Sequence, residues 1–290
     1  NPPVSNTSQN GVIRPQGVHC DIGSFELGRA IVVNSQAHST ASGDGDCTLT
    51  EAIQNANDNA ATSVDCNPGI GADRIVFSLS GAFTVASTQV IADAAGLTID
   101  GTGQTATISG GNAVQVMWVN GGVPLTLNHL TIANGNAAGN GGGILNLGTL
   151  AITNSAFSSN SATGAGAGGG GIFNFATLTI TNSTFSSNSA ESGGGVVNYA
   201  TGTLTVTNSA FSSNSAAGGN GGGIYNSGTL TVTNSTFSGN SASSYGGGIF
   251  NSATLTITNS TISGNSATSG GGIRNGGGGG VVTLRNTIVA

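Results

Sequence analysis

The tripeptide Thr-Asn-Ser returns through the second half of the chain, with its asparagine at Asn154, Asn182, Asn208, Asn234 and Asn259 in steps of 28, 26, 26 and 25 residues. No other feature constrains the fold as much, because a period of this length demands one small structural unit stacked on copies of itself. A second series keeps the same beat. Glycines followed by an aliphatic residue place Ile144, Ile172, Val196, Ile224, Ile249 and Ile273 at steps of 28, 24, 28, 25 and 24. Three residues after each Thr-Asn-Ser asparagine stands Phe157, Phe185, Phe211, Phe237 or Ile262, and three further on comes Asn160, Asn188, Asn214, Asn240 or Asn265. The unit is about 26 residues long and absorbs small insertions at fixed places.

Each unit holds three short strand-like stretches, for example Gly223–Asn226, Thr229–Asn234 and Ser235–Ser238. Leu230 and Val232 alternate with threonines, the period-two pattern of a strand with one buried face. Three strands of four to six residues leave no room for a crossover helix. The expected fold is therefore all-β: a right-handed, single-stranded parallel β-helix, each coil lying on the last. Equivalent positions in stacked coils are about 4.8 Å apart and form columns along the axis. Phe157, Phe185, Phe211 and Phe237 are expected to stack inside, beside the aliphatic rows that begin at Leu150 and Ile152. Asn154, Asn182, Asn208, Asn234 and Asn259 are expected to form an asparagine ladder, their amides bonding up and down the stack at otherwise unsatisfied turns. Less regular coils start near Ala82, and His129 falls where later coils carry the ladder asparagine. Residues 82–290 would then make roughly eight coils and a rod of about 40 Å.

Composition limits the partners. Only 6% of residues are charged, lysine is absent, and the net charge is −6. Nucleic acid and anionic membrane surfaces both call for clustered basic charge, which this chain lacks. No apolar run approaches the roughly 18 residues of a membrane span. The hydrophobic residues recur too regularly for disorder, and the glycines cluster instead of falling at every third place as in collagen. Ten of the eleven acids lie at or before Asp100; beyond it the charged residues are Glu191, Arg274 and Arg285.

Residues 31–81 read as an N-terminal cap. Thr48-Leu49-Thr50-Glu51 is a capping box leading into a short helix over Glu51–Asn57, placed to cover the open first coil. Cys47 and Cys66 flank it, and a disulfide closing that loop would contribute roughly 3 kcal/mol in the chain-entropy model. Cys20 is left over: a free thiol, or a partner for a missing segment or a neighbouring module or subunit. Disulfide use implies an oxidising, extracellular setting. The chain opens at Asn1 with neither methionine nor a signal-peptide pattern, as expected of a processed product or an excerpt of something longer.

The Gly-Gly-Gly-Ile runs and the Phe-Ser-Ser-Asn segments at 157–160, 185–188 and 211–214, with Phe-Ser-Gly-Asn at 237–240, are similar to the G-G-A-I and F-x-x-N repeats of polymorphic outer-membrane proteins, which are surface adhesins. The whole arrangement more closely resembles the bacterial CSLREA / choice-of-anchor Q β-helix proteins. Cys47–Ile53 would be the namesake motif, departing from it at Thr48 and Thr50. Residues 14–17 and 20–26 resemble the segment that closes such a module, making 1–30 a module junction. Residues 286–290 would then lie mid-module. The resemblance implies secretion and cell-surface display, and no particular reaction.

The leading expectation is a non-catalytic structural protein, a segment of a filament, sheath or adhesin stalk whose coils stack head to tail with another copy or module. Residues 281–289 read as a coil without a polar cap, an exposed edge that invites such stacking. The alternative is a polysaccharide-binding or pectate-lyase-like polysaccharide-degrading protein, since those enzymes share the fold, although fold is weak evidence of function. They need clustered carboxylates, and the coil walls offer Glu191. Nothing in the sequence calls for a cofactor. Asp44-Gly45-Asp46 lacks a full calcium ligand set. Asn182, Asn234 and Asn259 match glycosylation sequons, but burial of their amides in the ladder would keep glycans off them; Asn6 is the more accessible sequon. The hydroxyl-rich outer faces suit surface glycans without marking a site.

Overall fold

The computed structural model describes residues 30–276 and 279–290. The segment 1–29, with Cys20, the Asn6 sequon and the junction motifs, lies outside the described residues. Four parallel sheets run along the molecule, and each regular turn of chain adds one strand to each. The first wall has ten strands, from Ile31–Val33 and Asp73–Phe77 through Thr149–Thr153 and its equivalents to Val281–Arg285. The second has nine, from Gly81–Thr84 through Ala156–Ser158 to Ile288–Val289, and the third has eight, from Gln89–Ile91 through Ile144–Asn146 to Ile273–Asn275. A narrow fourth strip pairs two-residue strands, Asn136–Ala137, Ser161–Ala162, Ser189–Ala190, Ser215–Ala216 and Ser241–Ala242. This strip is additional to the three strands per coil expected from sequence. A Ser-Ala pair is too short to show any period.

Pairing is in register. Thr177–Thr181 matches Thr203–Thr207 residue for residue, with Leu178 beside Leu204 and Ile180 beside Val206. Leu178 and Ile180 are buried while Thr177 and Thr179 face solvent, so strand alternation puts one face in the core and clothes the other in hydroxyls. Each fully buried Leu or Ile stabilises by ~1.5–3 kcal/mol relative to exposure. The chain turns into the third wall through glycines that cannot be replaced by larger residues. Gly221 has φ +70°, and a Cβ on Gly223 would lie 2.6 Å from the Gly248 carbonyl oxygen of the next coil.

One helix, α1 (Leu49–Asp58), interrupts the first wall between Ile31–Val33 and Asp73–Phe77. The ladder of the first wall therefore begins before residue 82, and the helix is an excursion from it. Both halves of the capping box form: Glu51 N–H donates to Thr48 Oγ1 at 3.3 Å and Thr48 N–H to Glu51 Oε2 at 3.0 Å. Leu49, Ala52, Ile53 and Ala56 are buried, and the helix packs on Gln89–Ile91, Ile31–Val33 and Asp73–Phe77. It stops at Asn59, in the left-handed region at φ 50°. The Cys47–Cys66 disulfide ties the start of α1 to the loop that follows it.

Candidate functional site

Inside the coils the four phenylalanines stack face to face. Centroids are 4.7 Å apart from Phe157 to Phe185, then 4.8 Å to Phe211 and 4.8 Å to Phe237, with planes tilted by 5–8°. The column continues into Ile132 at one end and Ile262 at the other. Side chains in an in-register sheet repeat at the strand spacing, which leaves flat rings no arrangement but a parallel stack.

Three asparagine columns run beside it, and they differ in burial. Asn160, Asn188, Asn214 and Asn240 are fully buried. Each Nδ2 donates at 2.9 Å to the Oδ1 of the next member, ending on Asn265, and also to a backbone carbonyl such as Phe157 O or Phe185 O. Asn146, Asn174, Asn198, Asn226 and Asn251, also fully buried, form a second chain with links of 2.7–2.9 Å to Asn275. The Thr-Asn-Ser column at Asn154, Asn182, Asn208 and Asn234 is also linked amide to amide, but at 3.2–3.3 Å. It runs in the opposite sense, and its residues, like Asn259, are exposed with φ near +50°. The column expected to be buried faces solvent instead. The buried member of the tripeptide is the serine: Ser155 Oγ donates to Thr153 O, and Ser155 N–H donates to Ser183 Oγ of the next coil. Burial therefore gives no protection to Asn182, Asn234 and Asn259 as sequons.

His129 takes the left-handed backbone slot of this column, at φ 52°, while Asn154 Nδ2 donates instead to Oδ1 of the neighbouring Asn128. The His129 Nδ1 lies 3.2 Å from Thr102 Oγ1. Among the described residues no three His, Cys, Asp or Glu side chains gather as metal ligands.

The outer surface of the third wall carries a column that sequence reasoning passed over. Trp118, Leu145, Phe173, Val197, Tyr225, Phe250 and Arg274 occupy successive rungs. Phe175 and Tyr199 pack on Phe173, with centroids at 4.8 and 5.7 Å. Tyr225 stacks on Phe250 at 5.1 Å, and the Arg274 guanidinium sits 5.3 Å from the centre of Tyr245. The central residue of each Ile-x-Asn strand was the available signal.

Charge is gathered at the two ends. Asp44, Asp46 and Asp58 are exposed around the cap, while Arg274 and Arg285 belong to the last coils. Burial pushes the Asp100 carboxyl up, but hydrogen bonds from Arg74 and Thr102 outweigh it and hold the pKa at about 2. The Arg74–Asp100 pair is 2.6 Å long. Glu191 is exposed on the coils and accepts from the Gly166 N–H.

A stack of in-register parallel coils with internal aromatic and amide columns defines a parallel β-helix repeat protein. The family described as right handed beta helix region matches residues 112–289, more than half of the chain, and the protein belongs to it. No curated protein matches the chain, and no solved structure does. The Cys47–Cys66 bond points to an oxidising compartment. No described helix is long and apolar enough to cross a membrane.

Proposed function

We propose that this protein is a non-catalytic, extracellular β-helical segment of a cell-surface filament, sheath or adhesin stalk, whose coils stack head to tail with another copy or module. The observation that carries the reading is the in-register pairing of the walls from coil to coil, with buried asparagine columns linking successive coils along one axis. A coil from a further module or a second copy, laid in the same register, would extend each wall by the same bonds. The axial separation of charge, acidic at the cap and basic at the last coils, favours one polarity of approach. The resemblance to CSLREA / choice-of-anchor Q and polymorphic outer-membrane repeats supports cell-surface display. The non-catalytic reading rests on the scarcity of carboxylates beyond Asp100.

Electron microscopy of the purified chain over rising concentration tests the proposal. Rods joined end to end, with an axial repeat of one molecule, are the expected outcome. Dispersed monomers at the highest concentration would overturn stacking between copies. A second reading, binding of a neutral polysaccharide, is favoured by the exposed Tyr199 and Tyr245 rings beside Phe175 and Phe250, which offer apolar faces with polar tips. Glycan-array binding lost on Tyr199→Ala would support it.

A further inference from the structure

The outer face of the first wall repeats one residue type at nearly every point. From Thr149–Thr153 to Thr254–Thr258, each strand presents three outward positions, and all are threonine except Ala151. Pairing is residue for residue and no bulge interrupts it, so Thr177, Thr179 and Thr181 stand directly beside Thr203, Thr205 and Thr207, and the remaining rungs follow suit. The result is a grid. Its short repeat is the rung spacing, 4.7–4.8 Å in the ring stack inside the same coils. Its long repeat is two residues of strand, about 6.6 Å, and the whole patch covers about 19 Å by about 13 Å.

The fold does not require this regularity. Core packing constrains the buried aliphatic positions and leaves the outward ones free, and on the other walls they vary. Ala156, Thr184, Ala210, Thr236 and Thr261 follow one another on the second wall, and Leu145, Phe173 and Val197 on the third. The grid strands carry neither a charged nor an aromatic residue. Buried asparagines bond to the backbone of this wall, Asn146 to Thr177 O, Asn198 to Thr229 O and Asn226 to Thr254 O, while the threonine hydroxyls of the grid bond to no other group among the described residues. They are left for whatever lies outside.

We propose that this threonine grid is an ice-binding face, whose ligand is the ordered water of a crystal surface. A hydroxyl both donates and accepts, as every oxygen in ice does. The rectangular mesh, short in one direction and longer in the other, is close to that of the oxygen atoms on a prism face of hexagonal ice. Methyl groups set between the hydroxyls restrict the orientations of first-shell water, and no charge on these strands imposes a competing hydration shell. Threonine is stiff at χ1 and its backbone is held by the sheet, so little freedom is lost on contact. A crystalline polysaccharide also has a regular surface, but sugar rings call for aromatic platforms, which the third wall carries and this one does not.

The test is freezing-point osmometry of the intact chain, with microscopy of a single ice crystal held in the solution. The wild type should shape the crystal into facets and open a gap between its melting and freezing temperatures that widens with protein concentration. Thr205→Tyr, which puts a bulky side chain at the centre of the grid, should abolish both effects while the chain keeps its β-sheet circular dichroism. Thr231→Tyr on the next rung should do the same and decides the matter should the first variant fail to fold. Thr236→Tyr, on the second wall, should leave both effects unchanged. Wild-type crystals that stay round, with no gap at the solubility limit of the protein, overturn the proposal. So does shaping that survives both Thr205→Tyr and Thr231→Tyr, which places the ice contact elsewhere. Retention on crystalline cellulose that is lost in Thr205→Tyr, without any ice shaping by the wild type, assigns the grid to a polysaccharide surface and equally overturns it.

Discussion

Between residues 30 and 100 the polar interactions are individual, whereas between Ile144 and Ile262 each kind is repeated on the next rung. The cap relies on the Thr48–Glu51 box, the Cys47–Cys66 bond, the Asp65 carboxylate accepting from the Gly43, Asp44 and Gly45 amides, and the Arg74–Asp100 pair. The coils rely on columns in which every interior member serves the neighbours above and below. Breaking any one of the cap's interactions opens a single staple. Truncating a side chain inside a column leaves unfilled space or unpaired groups on two faces, so the cost depends on how deep in the column it sits.

The sharpest way to break this contrast is Phe211→Ala, in the middle of the ring stack. It should destabilise the chain by about 3–5 kcal/mol in chemical denaturation, because its in-register neighbours are held by the sheet and cannot collapse into the space. A loss below about 1 kcal/mol would show that the coils relax freely. Replacing Cys47 and Cys66 together by serine should cost roughly 3 kcal/mol and act locally, raising proteolysis around α1 while the coils stay protected from hydrogen exchange. Asn214→Ala should cost roughly 2 kcal/mol, since it strands the Asn188 amide and the Phe185 carbonyl. Its exposed counterpart, Asn208→Gly, should stay within about 0.5 kcal/mol, because glycine accepts the left-handed backbone and the missing link is a surface one. Equal costs for these two would erase the distinction between inner and outer columns.

The smallest effect is electrostatic and confined to the cap side. The folded Asp100 carboxyl lies near 2, below its unfolded value, so its contribution to stability is present above the unfolded value. It is lost as pH falls through about 2. Asp100→Asn should flatten the acid limb of the stability profile in this window, and an unchanged limb would remove the ion pair from the account.

The coils were readable because translation repeats the sequence along with the structure. Phe157 and Phe185, or Leu178 and Leu204, stand at matching offsets, and pairing at the strand spacing puts them side by side. Features that do not announce themselves by hydrophobicity were hidden. Ser155 and Ser183 look like surface residues yet are buried, because a serine hydroxyl can satisfy its own backbone two residues away. Of the two conspicuous asparagine series, the one inside the Thr-Asn-Ser tripeptide points outward. Its left-handed backbone places it at the outside of a corner, while Asn160 and its column point in. The first two rungs of the first wall were obscured for another reason: the whole of α1 separates Ile31–Val33 from Asp73–Phe77, and no period survives that interval.

The pairing of strands in register carries a mechanical consequence. Every ladder hydrogen bond lies along the rod, so axial tension is shared at each coil boundary by the bonds of all the walls and by the amide columns together. Successive boundaries are in series and nearly identical, which makes the rod a chain of similar links under load. Rupture would begin at whichever boundary has the fewest cross-connections. The Cys47–Cys66 bond closes the loop around α1 and adds no link across a coil boundary, so under axial load the cap end relies on the same ladder bonds as the rest of the stack.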